Sequence, residues 1–261
     1  MNLTIDSSDA VLAVEGSFSI KKNEATRAID KETLTIAASD SVGFLNGVYF
    51  ILRAQQQRDT CLCITLPHYD AMKILPVFDH RVAVYDCCYI RGLETSCSLV
   101  DKVRRDATCG INGWIIEAGD FPSGPAYDTD DLQKILSEYG IQLHKDRQSL
   151  GKATLELSDG ENRKFMGDIW QEQIREAYGN GYRTIIYHPE IPDQRHPFRE
   201  INLYAFGRLS SDVAAMPKRI AYEWLASTYS DNPLIVRPLM ESMLNSDEAS
   251  FCTKLKEIKT Y

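Results

Sequence analysis

The sequence predicts an α/β protein in three parts: a small N-terminal α/β sandwich domain, a truncated (β/α) TIM-like barrel of about four strands, and a helical C-terminal segment. Three patterns lead there. Residues 1–78 hold apolar strand-like runs around a single glycine-bearing amphipathic stretch, SVGFLNGVYFILRA. From residue 79, short apolar runs alternate with helical ones, the pattern of parallel strands joined by right-handed crossovers. Beyond residue 193 the strand signals stop and aromatic and helical ones take over. The resulting divisions are 1–78, 79–193 and 194–261.

In the first part, residues 11–14 and 34–38 read as apolar strands, with the polar KKNEATRAIDKE between them as hairpin or loop. Ser39 or Ser41 suits the cap of the helix that follows. Phe44, Leu45, Val48, Ile51 and Leu52 make one apolar stripe on it. Gly43 and Gly47, four apart, let that helix lie close on its sheet. Residues 60–66 return as a strand, and the proline-bracketed LPHYDAMKILPVFDHR connects to the second part, with the boundary near Phe78.

The second part reads as strands at 82–85, 113–116, 141–143 and 183–187, with helices at 99–109, 132–139 and 168–178. Asp128, Asp130 and Asp131 crowd the N-terminus of the middle helix, where the dipole favours carboxylates. Gly140 and Gly179-Asn180-Gly181 supply helix stops. A complete eight-stranded barrel needs roughly 250 residues, about 200 at its leanest. Residues 79–261 fall short of that, so the expectation is a partial barrel. Its exposed edge strands would be covered by the C-terminal helices or by a second copy of the chain. In the third part, Arg195 to Trp224 reads as a loop, a compact aromatic run (Leu203, Tyr204, Phe206) and then a helix. Ser210, Ser211 and Asp212 offer cap side chains there, but Pro217 suits a first turn, which puts the helix start near Met216.

Composition excludes several functions. The 261 residues carry a net charge of −8 with no dense Lys/Arg cluster, which argues against a nucleic-acid binder. No apolar run reaches the ~18 residues that span a bilayer. MNLTIDSSDAVLAVEG lacks a basic segment followed by an apolar one, so no signal peptide is expected. Of the seven cysteines, Cys61 and Cys63 alternate on an expected strand, Cys87 and Cys88 are adjacent and the other three stand alone, so they read as reduced thiols of a cytoplasmic protein, and no metal or other cofactor is expected. His188 and His196, near Glu190 and Asp193, raise a metal-site idea, but histidines beside prolines in loops are usually surface residues.

HPFREINLYAFGRL, followed by a helix containing EW, resembles the end of the catalytic region of α-glucuronidases, glycoside hydrolase family 67. Arg81-Val-Ala-Val-Tyr-Asp86 with Arg91-Gly92 resembles that family's first barrel strand, and Gly110-Ile-Asn-Gly113 the turn into the second. Tyr139-Gly-Ile141 resembles the entry to the third, and WQEQIREAY the helix before the fourth. The N-terminal part also resembles the domain that α-glucuronidases and β-hexosaminidases place before the barrel. Six residues after Glu190 the chain reaches His196-Pro197, which the family places after its last strands. The segment holding the family's water-activating carboxylates has no counterpart here.

The resemblance implies inverting cleavage of the α-1,2 link between (4-O-methyl)glucuronic acid and xylose in xylan fragments. Inversion needs an acid and a water-activating base roughly 6.5–9.5 Å apart. Glu190, after the fourth expected strand, is the candidate acid; Glu117 and Asp120, after the second, are the candidate bases. The alternative is that all three are ordinary loop carboxylates. Asp86, Arg91, Arg183 and Arg195 are the candidate substrate-binding residues, since a guanidinium suits a uronate carboxylate. With base carboxylates missing, the expectation is weak or absent activity, and otherwise a remnant that binds a saccharide or a protein.

Overall fold

The computed structural model describes residues 2–6, 18–23, 33–58, 61–64, 71–74, 76–87, 89–90, 98–117, 129–160, 164–190, 197–230, 232–245 and 251–255. The first part holds strands β1 (Asn2–Asp6), β2 (Phe18–Asn23), β3 (Thr33–Ala38) and β6 (Ala71–Ile74) in the sheet order β1-β3-β2-β6. β1 and β3 run parallel, whereas β2 is antiparallel to both its neighbours. β4 (Gln55–Arg58) and β5 (Cys61–Ile64) form a separate hairpin pair. Residues 11–14, expected as a strand, lie outside the described residues. KKN, expected in a loop, instead ends β2.

Helix α1 (Ser41–Ala54) is capped by Asp40 rather than by Ser39 or Ser41. The Asp40 carbonyl accepts from the Phe44 N–H at 3.0 Å and its Oδ1 from the Gly43 N–H at 2.7 Å. The expected single stripe proves to be two faces. Phe44, Val48 and Ile51 pack on Ile20 and Ile36 of the sheet, while Leu45 and Tyr49 join the larger core on the other side. α1 is therefore sandwiched between the two parts of the chain.

The second part is a five-stranded parallel sheet. In chain order its strands are β7 (His80–Asp86), β8 (Gly113–Glu117), β9 (Gln142–His144), β10 (Thr154–Ser158) and β11 (Thr184–His188). β10 adds a fifth strand to the four expected. The spatial order is β10-β11-β7-β8-β9, so the last strand in sequence pairs with the first. In a closed barrel of parallel strands that is the position of the final strand, next to the first. The strand expected at residues 183–187 is present as β11, and it is the fifth of the sheet in chain order rather than the fourth because β10 precedes it.

Side chains alternate across the sheet, as the strand period requires. Ala83, Tyr85, Trp114, Ile185 and Tyr187 face the helices, whereas Val82, Val84, Ile115 and Ile186 face inward. The inner cluster is completed by Leu150, which belongs to no strand. Leu150 lies on the 145–153 crossover from β9 to β10, in a single 3₁₀ turn, Gln148–Leu150. Its carbonyl accepts from Thr184 Oγ1 at 3.2 Å. The crossover thus runs over the concave face, the side on which a full barrel would have its remaining strands.

The outer layer holds α2 (Ser98–Thr108), α3 (Thr129–Glu138) and α4 (Gly167–Gly179). Beneath α2 sits a buried polar group centred on Asp106, which is fully inaccessible. Tyr85 Oη donates to Asp106 Oδ2 at 2.8 Å and Trp114 Nε1 donates to the same atom at 2.9 Å. The Lys102 ammonium pairs with Asp106 Oδ1, donates to Tyr85 Oη at 2.6 Å, and lies 4.3 Å from the Tyr85 ring centroid. Every polar atom named in this group has a partner, which is the condition for tolerating burial.

The third part contains α5 (Pro197–Ser211), α6 (Pro217–Thr228) and α7 (Pro233–Leu244). The run expected as a loop with an aromatic stretch is a helix of 15 residues, α5. Phe198, Ile201, Leu203, Tyr204, Phe206 and Leu209 point in all directions and are all buried. A helix covered on every side has no apolar stripe to detect. α6 starts where Pro217 places it, with Met216 as its extended N-cap residue. Ser210 and Ser211 close α5 by donating to the Gly207 carbonyl.

Candidate functional site

The carboxyl ends of parallel strands are where barrel proteins place their chemistry. Asp86 ends β7, Glu117 ends β8 and His188 ends β11, with Glu190 two residues further on. Glu156 faces inward from β10, because its neighbours Leu155 and Leu157 face the helices. From the crossover, Arg147 donates to Glu117 Oε1 through Nη2 at 2.6 Å and to Glu156 Oε2 through Nη1 at 3.0 Å. His188 Nε2 lies 3.0 Å from the same Glu156 oxygen.

That bridge measures the curl of the sheet. Through the pairs Glu156–Ile186, Ile186–Val82 and Val82–Gly113, Glu156 is level with Gly113, four residues before Glu117 and three strands away. In a flat sheet the two Cα atoms would lie roughly 20 Å apart. One guanidinium reaching both carboxylates requires the sheet to curve and its strands to tilt, as barrel strands do.

The remaining candidates are dispersed. Asp120, Arg91 and Arg195 lie outside the described residues. Arg183 precedes β11 and is exposed at the amino end of the strands, the far side of the sheet from Glu117 and Glu190. Asp86 Oδ1 accepts from the Tyr89 N–H at 3.4 Å. The Glu190 side chain is exposed, while its N–H donates to Asp159 Oδ1 at 2.6 Å. Asp159, buried just past β10, also accepts from Tyr187 Oη at 2.6 Å. It fixes the chain that leaves β11.

Arg147, Glu156 and Asp159 were not legible as neighbours of the strand-end carboxylates, because the strand that orders them was not. The alternation Leu155-Glu156-Leu157 was the one local signal of β10. Among the described residues, no group of three His, Cys, Asp or Glu side chains is placed to hold a metal ion. No described helix is long and apolar enough to cross a membrane.

Residues 194–254 match the family model described as the C-terminus of glycosyl hydrolase family 67, which covers α5, α6, α7 and the helical turn 251–255 up to residue 254. No curated protein matches the sequence. Among solved structures, a family 115 4-O-methyl-α-glucuronidase with specificity for decorated arabinogalactans aligns over 91% of this chain and 53% of its own, at 8% identity and a TM-score of 0.55. A family 20 β-N-acetylglucosaminidase aligns over 54% of this chain and 32% of its own, at 12% identity and a TM-score of 0.38. The Flavobacterium johnsoniae chitobiase aligns over 88% and 38%, at 12% identity and a TM-score of 0.34. At 8% identity the first is a likeness of fold, and the chain spans about half the length of that enzyme. The fold is glycoside-hydrolase-like, with a family 67-related segment at its C-terminal end.

Proposed function

We propose that this chain is a non-hydrolytic relative of α-glucuronidases, a barrel remnant of xylan breakdown whose strand-end site is closed by its own Arg147. The supporting observation is the double ion pair of that guanidinium with Glu117 and Glu156. An inverting hydrolase needs a carboxylate free to hold and deprotonate water opposite its acid. Glu117, the one base candidate among the described residues, is instead neutralised by a cation of the same chain. The ligand class implied by the family 67 resemblance is an acidic xylan fragment, admitted without cleavage when Arg147 leaves the two carboxylates.

A second reading, weak inverting hydrolysis with Glu190 as acid and Glu117 as base, is favoured by one observation. The two residues follow strands that flank β7, two strand spacings or roughly 10 Å apart, near the inverting separation. Incubation with aldouronic acid oligosaccharides, assayed for released glucuronic acid, decides between the readings. No release is expected from the parent protein or from Glu190→Gln. Release from the parent that vanishes in Glu190→Gln would establish the second reading.

A further inference from the structure

The 145–153 crossover is held differently at its two ends. At one end Leu150 is buried among Val82, Val84, Ile115 and Ile186, and Thr184 Oγ1 donates to its carbonyl. Gly151 follows at a φ of 90°, and among the described residues nothing beyond its chain neighbours stands within 4 Å of where its Cβ would be. At the other end the crossover continues from β9, and among the described residues the side chain that ties the turn itself to the sheet, Arg147, is in contact with solvent. Arg147 is 42% exposed, Glu117 48% and Glu156 45%. Between them Asp146 and Ser149 bond to each other, Asp146 Oδ1 accepting the Ser149 N–H at 2.9 Å and the Asp146 carbonyl accepting Ser149 Oγ at 2.6 Å. The segment 146–149 is a pre-formed turn, pinned on one side and ion-paired on the other.

We propose that this turn is an autoinhibitory strap and that Arg147 is its latch. The latch occupies the mouth of the curled sheet, and the carboxylates that would accept a sugar's hydroxyls are engaged in holding it. Exposed ion pairs are weak and exchange with water, so the latch is releasable. Leu150 at one end and His144 of β9 at the other are both buried, so the turn between them frees Arg147 from the two carboxylates without unfolding. This rests on the non-hydrolytic reading above, since an open, turning-over site has no use for such a contact.

The test titrates the parent protein, Arg147→Gln and Arg147→Ala with xylotriose and with an aldouronic acid, following the backbone amide signals of β8 and β11. The parent is expected to show no shifts at millimolar saccharide. Both variants are expected to show saturable shifts, with affinity for at least one of the two sugars raised tenfold or more. Amide exchange supplies a second readout: residues 146–149 exchange at least tenfold faster in the variants, while β7 and Leu150 stay protected. Folded variants as inert as the parent, with unchanged exchange in the strap, would overturn the latch and leave the non-hydrolytic reading standing. Release of glucuronic acid by the parent would sink that reading, whatever the variants bind.

Discussion

The Cα of Gly207 lies so close to the carbonyl of Cys109 that a Cβ added at Gly207 would stand 1.4 Å from the oxygen. α5 is seated on the end of α2 through this glycine, and the C-terminal helices meet the barrel there. Gly207→Ala is expected to lower stability by at least about 3 kcal/mol, because backbone rather than a movable side chain must give way. Urea unfolding of the variant measures it, and a loss below about 1 kcal/mol would contradict this seating. Gly179→Ala, where a Cβ meets nothing within 4 Å, is the control.

The Asp106 group predicts a second large effect. Asp106→Ala strands the Lys102 ammonium, the Tyr85 hydroxyl and the Trp114 N–H in the core. Removing one partner of a buried pair costs about 3–5 kcal/mol. The double variant Lys102→Met/Asp106→Leu should recover a substantial part of that loss, since no charge is left unpaired. Denaturation midpoints of the two proteins give the comparison.

Alkaline pH should unfold the protein cooperatively. Burial, aided by Asp106, pushes the Tyr85 hydroxyl well above its ordinary value of 10, and burial with Asp159 does the same for Tyr187. Burial pushes Tyr89 up to about 12. A phenol held neutral by the fold contributes stability that is complete below pH 10 and lost as pH rises through the folded-state value. Tyr89 alone contributes on the order of 2 kcal/mol across that window. Urea midpoints between pH 8 and 11.5 should fall steeply above pH 10, and less steeply in Tyr89→Phe.

At the acid side the sign reverses. Burial, and then the neighbouring His80, hold the His144 imidazole below its ordinary value. Its rings meet edge-on at 5.7 Å on the concave face. The contribution is present above pH 6.5 and lost as pH falls through the folded-state value. His144→Gln should flatten the stability profile between pH 7 and 5. An unchanged slope would mean that His144 is solvated.

Much of the fold could be read from local pattern. Strands β7, β8, β9 and β11 announced themselves as apolar runs, and α2, α3 and α4 as amphipathic ones with glycine stops. What failed to register had a physical cause in each case. β10 is five residues long, flanked by polar residues, and follows β9 without an intervening helix, so strand–helix alternation passes over it. α5 is buried all round and shows no stripe. The pairing of β11 with β7 is a long-range choice that no local pattern encodes, and it moves Glu190 from the fourth strand position to the last. The site was accordingly half legible. Glu117 and Asp86 fell at strand ends as expected, whereas Arg147 and Glu156 gain meaning only once the sheet curls.

The 145–153 crossover covers the concave face of the sheet through Leu150. Methyl–methyl NOEs from Leu150 in a methyl-labelled sample test it most directly. The structure predicts cross-peaks from Leu150 to Val82, Ile115 and Ile186, three neighbouring strands contacted by one crossover side chain. Leu150 methyls at random-coil shifts, with no cross-peak to any of the three, would show the crossover lying off the sheet and the mouth open.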